Sequence, residues 1–246
     1  MCIRDRTYPA PEVLTRDYPI SAIYHDTPLY PLGATVLPGQ YKVVLTVDGK
    51  SYTQTLELKM DPRVKTSPED LRRQFDLDRK IAEALHKDYE ALKQVRSLRA
   101  QIRWLLRDQH STSMASSTGL DAAAKIAAEL DAKAALIEGE EGGATYLSTP
   151  AGRSLSRLNG GLNALLSALD TADAAPTTQQ SSTFEELEKA LEARLSLWEQ
   201  LNSKEVPALN DQLKKAGQPP LDLQKPVPSA ADAAATTSQD RDKDEE

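Results

Sequence analysis

The run that opens at Ser67-Pro68-Glu69-Asp70 constrains the fold of this chain more than any other feature. Ser before Pro and two acids is a helix start. The hydroxyl accepts from a first-turn N–H, Pro lacks a donor that would go unpaired there, and the acids sit at the positive end of the helix dipole. From that point Leu71, Phe75, Ala82, Leu85, Tyr89, Leu92, Val95, Ile102 and Leu106 recur at spacings that follow a helical period. The pattern predicts one helix of about 40 residues, roughly 60 Å at 1.5 Å per residue. A helix that long, with one apolar stripe, needs other helices to cover it.

Three later segments supply them. Leu120 to Ile137 is Ala-rich and reads as helical, ended by Glu138-Gly-Glu-Glu-Gly-Gly143. Leu155, Leu158, Leu162, Leu165 and Leu169 form a third stripe. A fourth is made by Leu187, Leu191, Leu195, Trp198, Leu201, Leu209 and Leu213, with Pro207 expected to kink or divide it. Residues 67–216 are therefore expected to form an elongated antiparallel helical bundle.

Before Asp61-Pro62 the period is two. Tyr41, Val43, Leu45 and Val47 alternate with Lys42, Val44 and Thr46, and Tyr52, Leu56 and Leu58 follow after Asp48-Gly49. Asp-Gly suits a type I′ turn, because both central residues need positive φ, and a two-residue loop pairs Leu45 with Tyr52 and Tyr41 with Leu56. Ile20 to Tyr24 is a shorter strand candidate. Three strands fall short of the roughly seven of a sandwich, so residues 7–62 read as a partial Ig-like segment: either the sheet is incomplete or its remaining strands lie upstream. At the other end, residues 217–228 are Pro-spaced and extended, with Leu221 and Leu223 as anchors. Residues 229–246 carry six acids against two bases and no large apolar side chain, which predicts a disordered acidic tail. The fold class is thus α+β: a partial antiparallel β-sandwich, then the bundle, then the tail.

The charge balance, 30 basic against 37 acidic side chains, gives a net charge of -7. Nothing in it draws the whole chain toward nucleic acid or anionic membrane, so neither is expected as a partner. No apolar window reaches the length of a membrane span. One cysteine, Cys2, excludes a disulfide framework and a cysteine-based zinc site, and the three His are far apart, so no metal or cofactor is expected.

The strongest candidate surface is Arg96, Arg99, Arg103 and Arg107, which fall within about 80° on the helical wheel beside Trp104. A phosphate site is one reading of this interaction stripe. The stronger one is ion pairing with Glu185, Glu188, Glu192 and Glu199 of the last helix, as flanking charges do in a coiled coil. Gly139, Gly142 and Gly143 are flanked by acids that would repel a phosphate, and no Lys-Ser or Lys-Thr follows, so they read as a loop. Gly160-Gly161 reads as a close helix crossing or a local break, with a hinge as the lesser reading. His25-Asp26 lacks a nucleophile motif and sits among turn residues; His86 and His110 read as solvent-facing, and Trp198 as core. No catalytic residue stands out.

Tyr8-Pro-Ala-Pro-Glu12, Tyr18-Pro-Ile-Ser-Ala-Ile-Tyr24, Leu37-Pro-Gly-Gln-Tyr41, Lys59-Met-Asp-Pro-Arg-Val64 and Pro207-Ala-Leu-Asn-Asp211 together carry a resemblance. The chain resembles the C-terminal region of large bacterial exported proteins with sortilin-like or BNR-type β-propeller repeats, often labelled glycosyl hydrolases. The catalytic assignment of that family rests on its propeller. No propeller repeat is present here, so no active-site residue carries over to this sequence. The resemblance implies a periplasmic or extracellular location, and the expected partner is an upstream propeller domain or another protein. Met1 to Arg6 is similar to translated sequencing-adapter read-through in metagenomic assemblies, on which reading Cys2 is not native. The expected function is a non-catalytic structural or interaction region. The alternative is a fragment of a carbohydrate-active hydrolase whose acid and base lie upstream, and a stand-alone helical adaptor using the arginine stripe is the third reading.

Overall fold

A computed structural model of the chain describes residues 6–14, 16, 29–111, 118–139 and 153–225. Its elements run β1 (Gly39–Val47), β2 (Lys50–Leu58), α1 (Pro68–Ser111), α2 (Thr118–Glu138), α3 (Leu155–Leu169), α4 (Thr178–Gln200), a π-helical turn (Leu201–Glu205) and α5 (Val206–Lys215). This is a mixed α and β chain. The strand expected at Ile20 to Tyr24 and the tail from residue 226 onward lie outside the described residues.

β1 and β2 pair antiparallel with Leu45 opposite Tyr52 and Tyr41 opposite Leu56, as the turn length dictates. Asp48 and Gly49 take φ of 48° and 76°, the two left-handed conformations that a type I′ turn requires. Among the described residues the sheet has these two strands. A short bridge, Thr7 to Thr35, lies apart from it, with Tyr8 N–H donating to Ala34 O and Val36 N–H to Arg6 O at 2.9 Å each. Gly33 is required there, since a Cβ would press into the Tyr8 and Pro9 carbonyls.

α1 begins where the capping residues place it and spans 44 residues. Ser67 Oγ accepts from the Asp70 N–H at 3.1 Å and donates to the Asp70 carboxylate at 2.7 Å. Of the expected seam, Leu71, Leu85, Leu92, Val95 and Ile102 are buried, and Phe75, Ala82, Tyr89 and Leu106 are half-buried. Leu77, Ile81, Ala84, Leu98 and Leu105 are buried as well, so the apolar stripe is wider than a single coiled-coil seam.

The chain divides into two compact units, and the boundary falls inside α1 after Tyr89 rather than at the change from strand to helix. The first comprises residues 6–89 and 157–191 of the described chain. Buried in it are Leu71, Ile81 and Leu85 of α1, Leu158, Leu162 and Leu166 of α3, and Phe184 and Leu187 of α4. Gln74 closes the end of α3: its amide donates to Leu169 O at 2.8 Å and Ala172 O at 2.9 Å, and its oxygen accepts from Ala174 N–H at 3.2 Å. The Leu169 carbonyl is one that a helix end leaves unpaired. Asn159 donates to Asp88 Oδ2 at 2.7 Å and accepts from Leu14 N–H at 3.0 Å, which ties the N-terminal segment to two helices. α3 runs through Gly160-Gly161 without the local break that was one expectation. Thr177 and Gln180 form a reciprocal capping box at the start of α4.

The second unit comprises residues 90–139, 153–156 and 192–225 of the described chain. Here α2 packs on α5. The fourth stripe is divided just before Pro207, as expected: α4 ends at Gln200, and a π-helical turn, with the Val206 N–H reaching Leu201 O five residues back, leads into α5. Pro lacks an N–H and crowds the carbonyl four residues earlier, and a widened turn absorbs both defects while Leu201, Val206 and Leu209 stay buried. Residues 218–225 are held by side-chain hydrogen bonds. Asn210 pairs with the Leu221 backbone at 2.7 and 3.2 Å, and Gln101 with the Asp222 backbone at 2.7 and 3.0 Å. Leu221 and Leu223 are half-buried.

Candidate functional site

The arginine stripe on α1 is assembled in the second unit, with partners other than those expected. Arg99 donates from Nε to Asp131 at 3.0 Å and from Nη1 to Glu138 at 2.5 Å. Arg96 Nε lies 3.0 Å from Glu138, and Arg103 Nε 3.9 Å from Asp131. The acids that hold the stripe are thus on α2, in place of Glu185, Glu188, Glu192 and Glu199. The reason is spacing: Asp131 and Glu138 stand seven residues apart, two turns on one face of α2, and match the rise between the arginines. Burial works against the charge of Arg99, but the hydrogen bonds it donates to Glu138 and Asp131 and their negative charge outweigh it, so its pKa is raised. With Arg99 15% exposed and Glu138 14%, this half of the stripe is internal structure.

The other half faces outward. Arg103, Trp104 and Arg107 are exposed, Trp104 at 59%. With Leu213, Pro219 and Leu221 they line a groove of about 770 Å³ in the second unit.

The hairpin is the second surface. Leu45 is 60% exposed, Tyr52 59% and Val44 55%, so apolar side chains stand free on both faces of β1 and β2. Tyr41 is half-buried and its hydroxyl donates to Leu37 O at 2.5 Å. Beyond their mutual ladder, neither strand pairs with a further strand among the described residues.

The remaining expected residues fall as follows. Trp198 is core, 4% exposed, and its indole donates to Gln94 at 3.1 Å. His86 is exposed, with Nδ1 3.5 Å from Glu12. Gly139 takes φ of 67° and ends α2, its N–H donating to Ala135 O at 2.9 Å. His25, Asp26, Gly142, Gly143 and the side chain of His110 lie outside the described residues. The reading of the sequence passed over Gln74, Asp78, Asp88 and Asn159, which are buried polar groups. Among the described residues no helix is long and apolar enough to cross a membrane. Comparison with protein-family models, with curated proteins and with solved structures found no match to this chain.

Proposed function

We propose that the chain is a non-catalytic structural and interaction region of a larger exported protein of the sortilin-like β-propeller kind its sequence resembles. In this reading β1 and β2 join an Ig-like sheet completed by neighbouring residues of the parent, and the helices form an antiparallel bundle used in assembly. The partner is the upstream propeller domain, and the compartment that the resemblance implies is the periplasm or the exterior.

One observation carries the reading: a two-stranded sheet with Leu45, Val44 and Tyr52 more than half exposed. Two strands alone are marginal in water, and an unpaired strand edge is a template for another strand. Such an element gains its stability from what covers it. The arginine stripe adds support, because its most buried member is spent on Asp131 and Glu138 and is not available to a substrate.

The test is a double variant, Leu45→Lys with Tyr52→Lys, set against the natural region that precedes Thr7 in the parent, supplied as a separate polypeptide. The wild-type chain is expected to bind it and the variant to lose at least tenfold in affinity, while the helical circular dichroism and its melt stay unchanged. Equal binding by both chains, or a large loss of helix stability in the variant, would overturn the reading.

A further inference from the structure

Burying a carboxylate without a partner is costly enough that a native structure offers few examples, and each asks for an explanation. Asp78 is one. It lies on α1 in the first unit, 3% exposed, and its Oδ1 has no hydrogen-bond partner among the described residues. It lines a cavity of about 420 Å³ together with Asp170, at the end of α3, and Asp173 just beyond. Apolar side chains complete the walls: Val36 and Leu37 before β1, Leu58 at the end of β2, and Phe75 of α1.

Among the described residues no basic side chain forms an ion pair with these carboxylates, although Arg6 also lines the cavity. Lys59 is directed to Glu57 at 3.2 Å and is 75% exposed. Asp61 is engaged by Arg63 at 2.6 Å. Arg6 lies exposed at the rim, and the Gln74 amide is fully used on the end of α3. What remains is a pocket with a negative floor and apolar sides.

We propose that this cavity binds an organic cation, a primary alkylammonium or guanidinium head on an apolar stem, with the head between Asp78 and Asp170 and the stem along Val36, Leu37 and Leu58. A bare divalent ion fits poorly, because the carboxylates of Asp78, Asp170 and Asp173 do not converge to within 4.8 Å of one another, whereas such an ion gathers six or more oxygens in direct contact. An ammonium or guanidinium head has several N–H donors and reaches acceptors that are spread apart. The volume is within the range of small-molecule sites, roughly 300–1,000 Å³. Titration supports the same chemistry. Burial, and then the charge of Asp170, push Asp78 up to about 7, and burial with Asp173 also raises Asp170. The cation must displace a proton from Asp78, so its affinity rises with pH.

The experiment is calorimetric titration of the full chain at pH 6 and pH 8 with n-butylammonium and n-butylguanidinium, and with acetylated, amidated Gly-Lys-Gly and Gly-Arg-Gly tripeptides. Butanol and magnesium chloride are the controls. At least one cation is expected to bind saturably at pH 8, about tenfold more weakly at pH 6, as displacing one proton from a group of pKa near 7 requires. Asp78→Asn should lose at least tenfold of that affinity. Tighter binding of the small amines would identify a free ligand as the source, and tighter binding of a tripeptide a protein side chain. Asp170→Asn carries the same comparison if the first variant fails to fold. No saturable binding of any cation, butanol binding equally well, or affinity indifferent to both substitutions would overturn the proposal.

Discussion

Gln74, Asp78, Asp88 and Arg99 stand in register with Leu71, Ile81, Leu85, Leu92, Val95 and Ile102, separated throughout by three and four residues. They are polar residues at positions of an apolar seam, and a seam position that carries a polar side chain specifies a contact. Gln74 closes α3, Asp88 holds Asn159, and Arg99 joins Asp131 to Glu138. Asn159→Ala would leave the Leu14 N–H without its acceptor and remove one partner of Asp88. We expect it to lower unfolding free energy by about 2 kcal/mol in urea titrations. Asp78 has the opposite sign. Its folded pKa of about 7 lies above the unfolded value near 4, so the protonated carboxyl contributes stability that is full below about pH 4 and is lost as pH rises through 7. Asp78→Asn should therefore be more stable than wild type at pH 8, on the order of a few kcal/mol, with the difference shrinking toward pH 5. A wild-type chain whose stability is flat from pH 5 to 8 would contradict this. These contacts were open to a strict heptad count, which places all four polar residues in the seam. A search for apolar residues alone passes over them.

At the scale of elements, what could be read was what a few neighbouring residues decide. Asp48-Gly49 fixes both turn and register of the hairpin, and Ser67-Pro68 fixes the start of α1. Which helix faces the arginines is a different kind of information, because any acidic helix satisfies the charge. The discriminating signal is geometric: Asp131 and Glu138 share one face of α2 at the arginine rise, whereas Glu185 to Glu199 are mostly exposed. The π-helical turn before Pro207 was equally hidden, since Pro announces a defect but not how the helix absorbs it. The division of the stripe can be measured. Arg99→Ala leaves Asp131 and Glu138 largely buried without their main counter-charge, and we expect a loss of about 3 kcal/mol in chemical denaturation. Arg107→Ala, at an exposed position, should change stability by less than about 0.5 kcal/mol. Equal losses would show that the stripe acts as one surface.

For the whole molecule, stability must be uneven. Leu85, Leu92, Leu98 and Ile102 of α1 are fully buried, while Leu45 and Tyr52 of the hairpin stand in solvent. Local opening follows such differences, since segments with few buried apolar contacts open at low free-energy cost. A hairpin with so little of its apolar surface covered belongs at the low end of that scale, and α1 at the high end. Amide hydrogen exchange on the 246-residue monomer measures this directly. Amides of Tyr41 to Val47 and Tyr52 to Leu58 are expected to exchange at least a hundredfold faster than those of Leu85 to Leu98, and, on the function proposed above, to slow when the preceding region of the proposed parent is added. Protection of the hairpin equal to that of α1 in the isolated monomer would show a sheet already complete, and would contradict its role as an interaction element.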